Sequence, residues 1–289
     1  MDSFHRLPSQ LTDQVLKASA CSVQRSKNIS NLVLSLASVP LVLFFILPLI
    51  SLFFRTSTSD IFNTLVEPQV AQAITLSVTT TAITTFLTLC AGTPVAYLLA
   101  RRKFFGHSLL DTLIELPIVL PPAVAGIALL VAFGRRGFIG PILNGLHIEI
   151  AFTQAAVVMA QLFVASPFYI KSAAAGFAGV DVDLEKAAAV DGASPLKIFA
   201  TITLPLSYPA LIGGAVMTWA RALGELGATI IFAGNFPGRT QTMPLAIYIG
   251  FEIDLNVAIL LGVILLVVSF IVLAALRWIT GRRFTSFWI

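Results

Sequence analysis

The sequence predicts an all-helical membrane protein with six transmembrane helices, and three observations support that class. Of its 289 residues, 57% are hydrophobic and only 11% are charged, whereas ordinary soluble domains contain about 25% charged residues. The mean hydropathy is +0.93. The apolar residues also form uncharged runs of the length that crosses a bilayer core, which needs about 20 helical residues for about 30 Å. These observations exclude a soluble globular domain.

Six apolar runs account for the predicted helices. They cover residues 32–54, 71–100, 109–133, 153–177, 206–232 and 257–278. Threonines in the second run can donate to the preceding helical turn, and Pro94 is expected to bend that run. The third run is treated as one crossing that is interrupted by Pro117, Pro121, Pro122 and Gly126. An even number of crossings places both termini on the same side of the membrane.

Lysine and arginine are distributed unequally between the two faces of this arrangement. Thirteen of the 18 lie on one face, namely Arg6, Lys17, Arg25, Lys27, Arg101, Arg102, Lys103, Lys171, Lys186, Lys197, Arg277, Arg282 and Arg283. The other face carries Arg55, Arg135, Arg136 and Arg239, while Arg221 lies within the fifth run. Because cytoplasmic loops are enriched in these residues, we expect a multi-pass plasma-membrane protein whose more basic face is cytoplasmic. Both termini and residues 101–108 and 180–205 are predicted to be cytoplasmic.

The sequence contains no motif that would supply energy for work by the chain itself, so any such energy is expected to come from a partner. Residues 1–31 have scattered charges and no apolar core, so we expect a cytoplasmic extension before a transmembrane domain at 32–289, with a cleaved transit sequence as the alternative. The chain contains no G-x-x-x-x-G-K-[ST] phosphate loop, H-E-x-x-H pair or nucleophile elbow. We therefore predict no enzymatic activity, cofactor or metal site. A net charge of +4 arranged about a bilayer does not indicate nucleic-acid binding.

Residues 180–205 form a polar stretch between apolar runs and predict two short helices. Negative charge suited to a first helical turn comes from Asp181, Asp183 and Glu185. Gly192 is placed to end the first helix in a left-handed conformation. Ser194 and Pro195 then form an N-cap and a first helical position, and Pro205 is expected to close the second helix.

Residues 180–205 resemble the signature of ABC importer permeases, in which an acid and two alanines precede a glycine that is followed, after nine intervening residues, by I-x-L-P. We call residues 180–205 the coupling loop, after the role that this resemblance implies. The matching residues are Glu185, Ala187, Ala188, Gly192, Ile202, Leu204 and Pro205. Lys186, between the acid and the alanines, departs from the pattern. The resemblance implies the type I ABC importer permease fold and docking of the loop on separate ATPase subunits. An amphipathic segment in the lipid interface is the alternative, and the three acids disfavour an anionic lipid surface.

Two other stretches resemble the molybdate branch of these permeases, which is close to the sulfate permeases. They are PIVLPPAVAGIALLVAFGRRGFIG at 117–140 and ARALGELGATIIFAGNFPGRTQTMPLAIY at 220–248, and within the second NFPGRTQTMPLAIY is closer to the molybdate pattern. The resemblance covers about residues 65–280. It implies ATP-driven import of molybdate, or tungstate, delivered by an external oxyanion-binding protein. A sulfate or thiosulfate permease is the nearest alternative.

Arg221 and Glu225 are four residues apart in the fifth apolar run, where charged side chains pair or face a cavity. One interpretation is a structural ion pair. The other places both residues, with Gly224 and Gly227, in the translocation path or a subunit interface. Small residues on this run permit close helix approach and are consistent with a homodimer whose fifth helices lie near the axis: Gly213, Gly214, Gly224 and Gly227.

Two functions of other classes have less support in the sequence. A secondary carrier driven by an ion gradient needs coupling acids at the membrane midplane and repeated halves. Glu225 is the only candidate acid, and no internal repeat is evident. A membrane-embedded enzyme needs clustered His, Asp or Glu at one membrane face, and the sequence contains no such cluster.

Overall fold

The computed structural model describes residues 36–55 and 67–284. All regular secondary structure in these two ranges is helical, which confirms the predicted class. The chain divides into two compact units, Met1–Arg55 and Thr56–Ile289. In the first unit the structure describes one apolar helix, α1 (Leu36–Phe54). The predicted N-terminal extension at 1–31 lies outside the described residues.

The second unit is a bundle of long and short helices. In chain order these are α2 (Pro68–Arg101), α3 (His107–Val119), α4 (Pro122–Phe133), α5 (Gly140–Gly145), α6 (Gln154–Ala178), α7 (Val182–Val190), α8 (Pro195–Ile198), α9 (Leu204–Leu223), α10 (Gly227–Phe232), α11 (Met243–Ile253) and α12 (Leu255–Phe284). A π-helical turn, Phe199–Thr203, joins α8 to α9. Within the described ranges, five helical segments are long and apolar enough to cross a membrane, and α3 with α4 makes six if that bent pair is one span.

Helix α6 lies at the centre of the bundle and packs against α2 and α9. Its fully buried alanines let the helix axes approach closely. Ala173 packs with residues of α2 and α9, whereas Ala156 and Ala160 pack with residues of α4 and α10. Gly214 of α9 is equally restricted, because a Cβ atom there would lie 2.9 Å from the Cβ of Ser172 on α6. Gly214 therefore packs helices within the subunit.

Polar side chains also join α2 to α6. The hydroxyl of Thr84 donates to Gln161 Oε1 at 3.0 Å, and Gln161 Nε2 donates to Thr80 Oγ1 at 3.3 Å. All three side chains are buried. Most threonines of α2 donate to the preceding turn, as predicted, namely Thr75, Thr79, Thr80, Thr81, Thr85, Thr88 and Thr93. Satisfying polar groups internally is required at membrane depth, where water is absent.

The third predicted helix is not one straight crossing. Helices α3 and α4 meet at an angle of 118°. The break lies at Leu120 and Pro121, whose ψ angles of 136° and 131° are extended. Each of these residues precedes a proline, and the proline ring disfavours a helical conformation in the residue before it. Pro117 stays inside α3, so only the consecutive prolines break the helix.

The fifth predicted helix, 206–232, differs from the structure at both ends. The second short helix of the coupling loop, which the sequence predicts to end at Pro205, continues past it: α8, the π turn and α9 form one continuous helical segment, Pro195–Leu223. The expectation that Pro205 closes the second short helix is therefore wrong. Pro205 is tolerated because the wider π turn immediately before it, in which Leu204 N–H donates to the Phe199 carbonyl, relieves the clash of its ring with the preceding turn. At the other end, α9 stops at Leu223 and α10 starts at Gly227.

Candidate functional site: the coupling loop and the membrane-embedded ion pair

Helix α7 ends at the turn that the sequence predicts, and Asp183 and Glu185 lie in its first turn, whereas Asp181, also expected there, lies just before it. Asp181 is the N-cap, and its side chain accepts a hydrogen bond from Asp183 N–H at 2.9 Å. Gly192 has φ of +85°, the left-handed conformation that terminates helices without strain only in glycine. Ala193 N–H donates to the Ala188 carbonyl at 3.0 Å, which satisfies a carbonyl of the last turn. The turn after α7 is therefore fixed by backbone geometry.

Helix α8 starts at the predicted N-cap, because the Ser194 side chain accepts from Lys197 N–H at 3.4 Å and Pro195 occupies the first position. Around this turn the coupling loop exposes apolar side chains: Val182, Leu184, Val190 and Leu196. Val190 and Leu196 are 87% and 78% exposed. Ala187 is exposed beside them, whereas Ala188, Ile202 and Leu204 are half-buried. The loop thus presents an apolar surface on a rigid frame.

Glu185 of the coupling loop points towards the bundle. Its Oε1 atom lies 2.8 Å from Nη2 of Arg101, the last residue of α2, and accepts a hydrogen bond from Thr203 Oγ1 at 2.6 Å. Arg101 Nη2 also donates to the Val180 carbonyl at 3.0 Å. The side chains of Arg101 and Glu185 are only 11% and 16% exposed. The acid of the signature is therefore held by its own subunit.

Three aromatic rings fix the base of the same loop. Tyr97 of α2, Phe177 of α6 and Phe199 of the π turn have ring centroids 5.1 to 5.9 Å apart. The two contacts of Tyr97 are edge-to-face, an arrangement that the charge distribution of aromatic rings favours. Together with the Arg101 contacts, these rings attach the coupling loop to α2 and α6.

Arg221 and Glu225 form the predicted ion pair. Arg221 Nη1 lies 2.7 Å from Glu225 Oε2, although the geometry does not make an aligned hydrogen bond. Glu225 Oε1 accepts from Ala228 N–H at 2.8 Å, in the first turn of α10. Glu225 is 1% exposed and Arg221 is 29% exposed. The carboxylate therefore stabilises the break between α9 and α10, and one side of the guanidinium remains accessible.

The glycines near this pair differ in their surroundings. A Cβ atom at Gly227 would lie 2.7 Å from Pro122 Cβ, so Gly227 allows α10 to pack against the start of α4. Gly126 of α4 is similarly close to Ala228 of α10. Gly213 of α9 and Gly224, which directly follows α9, are both exposed. The break in α9–α10 therefore packs against the break in α3–α4.

Sequence reasoning missed two groups of charged residues. Arg101 was counted only as a topological charge, because nothing local links it to Glu185, 84 positions away. Lys171 of α6 contacts Asp111 at 2.9 Å and Glu115 at 2.7 Å, both on α3. The spacing of Asp111 and Glu115, four residues apart on one helix face, is the one signal that the sequence offered.

The face opposite the coupling loop carries a cavity of about 320 Å³. Arg135 and Glu149 form an exposed ion pair at its edge, and Asn144 and Arg239 contribute to its lining. Phe138, close by in the chain, is 90% exposed. These features form a polar recess within a partly apolar surface.

Comparison with known proteins identifies the family to which the chain belongs. Residues 92–285 match the family described as binding-protein-dependent transport system inner membrane component, and the chain belongs to that family. It is 41% identical over 231 residues to the molybdenum transport system permease protein ModB of Mycobacterium tuberculosis, covering 80% of this chain and 88% of that protein. It is 36% identical over 237 residues to the molybdate/tungstate transport system permease protein WtpB of Thermococcus kodakarensis, covering 81% and 90%.

Structural comparison agrees. A bacterial ABC transporter that imports the acidic polysaccharide alginate has a chain that aligns with a TM-score of 0.68 at 14% identity, covering 95% of this chain and 99% of that one. At this identity the similarity concerns the fold alone. The resemblance to ABC importer permeases of the molybdate branch is therefore confirmed by the family and the relatives, and the permease fold by the structural neighbour.

Proposed function

We propose that this chain is the membrane-spanning subunit of an ATP-driven importer of molybdate, with tungstate as an alternative cargo. The observation that carries the proposal is the similarity, at 36–41% identity along most of the chain, to permeases named for these oxyanions. The coupling loop supplies the physical basis, since its second helix continues into α9 without a break. A displacement of the loop would therefore move a transmembrane helix as a rigid body.

The proposed partner at the coupling loop is an ATPase subunit. The chain has no phosphate-binding loop, so ATP hydrolysis would take place on that partner. The exposed apolar residues Val190 and Leu196 beside Lys186 would form the contact, and Gly192, whose surroundings are open, would give the turn its shape. Burial of apolar side chains is the main driving force for association of this kind.

Two further partners complete the proposed transporter. An external oxyanion-binding protein would dock on the face that carries Arg135, Arg136 and Arg239, because basic residues attract an acidic partner. A second copy of the chain would pair along the exposed side of α9 and enclose the path between the copies. Arg221 would lie at this path, and its pairing with Glu225 would keep its attraction for a divalent anion weak enough for release.

Uptake into proteoliposomes containing the chain, its ATPase and its binding protein tests the proposal. We expect ATP-dependent uptake of labelled molybdate that unlabelled molybdate and tungstate suppress and equimolar sulfate does not. Stronger suppression by sulfate would assign the chain to the sulfate or thiosulfate permeases. Uptake that requires a proton gradient and no ATPase would indicate a secondary carrier, which the engagement of Glu225 with Arg221 and Ala228 disfavours.

The proposed orientation places both termini and the coupling loop in the cytoplasm of the bacterial or archaeal cell. Single cysteines at Val190 and Phe138, two highly exposed positions, test it in a background in which the native Cys21 and Cys90 are replaced. A membrane-impermeant thiol reagent should label the Phe138 position in intact spheroplasts and the Val190 position only after lysis. Labelling of Val190 in intact spheroplasts would reverse the topology.

A further inference from the structure

The charged end of α2 enters the base of the coupling loop. Arg101 is the last residue of α2, and a single nitrogen, Nη2, donates both to the Val180 carbonyl and to Glu185 Oε1. Val180 immediately precedes the N-cap of α7, and Glu185 lies in its first turn. The same guanidinium therefore holds the start of α7 at two points. An arginine bonded to a carboxylate forms a strong, directional contact, and its small exposure limits screening by solvent.

Thr203 extends this network to the π turn. Its hydroxyl donates to Glu185 Oε1 at 2.6 Å, and the residue is fully buried. The nearby Thr201 instead donates to the Lys197 carbonyl one turn back, as helical threonines commonly do. Thr203 thus bonds to a different element, so one carboxylate oxygen connects α2, α7 and the segment that continues into α9.

We infer that Arg101, Glu185, Thr203 and the Val180 carbonyl form a positioning network, the Arg101 brace, which passes movement of the coupling loop into α2 as well as α9. The inference rests on the proposed function, because a docked ATPase would supply the movement. It assigns Glu185 as a positioning residue and leaves the ATPase contact to the exposed side chains around it. Helix α2 packs along α6, so the brace would carry the movement to the centre of the bundle.

The test compares Arg101→Gln, Glu185→Gln and the double variant in the complete transporter, with Arg102→Gln as the matched control. Arg102 is the adjacent, exposed cation. We expect each single variant to retain the ATPase subunit during purification and to hydrolyse ATP. The ratio of molybdate taken up to ATP hydrolysed should fall on the order of tenfold in each single variant. The double variant should show a similar loss, because the two side chains share one interaction. Arg102→Gln should leave the ratio unchanged.

Three results would overturn the brace. One is loss of the ATPase from Glu185→Gln but not from Arg101→Gln, which would make Glu185 a docking contact. Another is a fall in the uptake ratio of the double variant by about a hundredfold, the product of the two single losses, which is the result expected for independent sites. The third is a wild-type ratio in Arg101→Gln. If Arg101→Gln does not fold, Arg101→Lys replaces it, with an intermediate ratio expected and an unchanged ratio contradicting the brace. An unmodified chain that binds no ATPase would instead refute the proposed function.

Discussion

Gly192 occupies a backbone conformation that the rest of the coupling loop depends on. The space around Gly192 is open, so an added side chain would not clash with other residues. Its φ of +85°, however, is a backbone conformation that residues with side chains rarely adopt. A left-handed conformation costs an ordinary residue about 1–2 kcal/mol. We expect Gly192→Val to weaken binding of the ATPase roughly tenfold, which corresponds to about 1.4 kcal/mol, while the bundle stays folded.

The matched control is Gly145→Val, at a glycine that also has open space but no left-handed φ. Co-purification of the ATPase over a concentration series provides the binding constant, and thermal melting in detergent reports the integrity of the bundle. Uptake and binding at wild-type levels in Gly192→Val would show that the turn is not part of the docking surface.

The Arg221–Glu225 pair is expected to affect the stability of the fold, because one partner is fully buried. Replacing Glu225 with Gln keeps an acceptor for Ala228 N–H but leaves Arg221 without a counter-charge. Removing one partner from a buried pair is costly, and because Arg221 is partly exposed we expect a loss of about 2 kcal/mol in the free energy of unfolding.

Thermal or denaturant unfolding of the purified protein measures this effect. The double variant Arg221→Met with Glu225→Gln should recover most of the lost stability, since it leaves no unpaired charge in the membrane. A single variant as stable as the wild type would mean that the pair is solvated, and would favour a role for both residues in the translocation path.

At the scale of helices, the contact between α2 and α6 combines close packing with buried hydrogen bonds. Gln161 connects Thr84 and Thr80 across the interface. Hydrogen bonds between membrane helices contribute about 0.6–1.7 kcal/mol each. We expect Gln161→Met, which preserves the side-chain volume, to destabilise the bundle by about 1 kcal/mol.

Gln154→Met is the control, because Gln154 lies on the same helix at an exposed position. Unfolding of the two variants under identical detergent conditions provides the comparison. Equal stability of the two would indicate that the bonds to Gln161 are replaced by others in the helix, leaving packing alone to hold α2 against α6.

At the scale of the whole molecule, the exposed side of α9 determines how two copies would meet. Its exposed residues recur at helical spacing on the side that faces away from α6: Leu206, Pro209, Gly213 and Met217. Small residues such as Gly213 allow membrane helices to approach closely, and packing of this kind matters because lipid offers no hydrophobic driving force between helices. A pairing of two copies along α9 therefore follows from the proposed function.

Cysteine cross-linking in the native membrane tests this arrangement. In a background in which Cys21 and Cys90 are replaced, Met217→Cys should form a disulfide-linked dimer under mild oxidation. Phe86→Cys, at a 65% exposed position on α2, should not. Cross-linking at both positions to the same extent would indicate random collision, and cross-linking at Phe86 alone would place the axis on α2.

The sequence by itself determined the features that depend on local chemistry. Apolar run length requires helices that cross the membrane, and the capping chemistry of Gly192 and Ser194 places the end of α7 and the start of α8. The i, i+4 spacing of Arg221 and Glu225 is also sufficient to pair them. Each of these features depends on residues that are close together in the chain, so the sequence alone is enough to predict it.

Tertiary structure decided what depends on residues distant in the chain. Pro205 lies within a continuous helix because a π turn accommodates it, and α3 meets α4 at 118° because consecutive prolines leave two residues extended. The signature acid Glu185 faces Arg101, which no local pattern could reveal, since burial of the pair depends on how α2, α7 and the π turn pack. The sequence therefore defines the coupling loop, and packing determines which helices contact it.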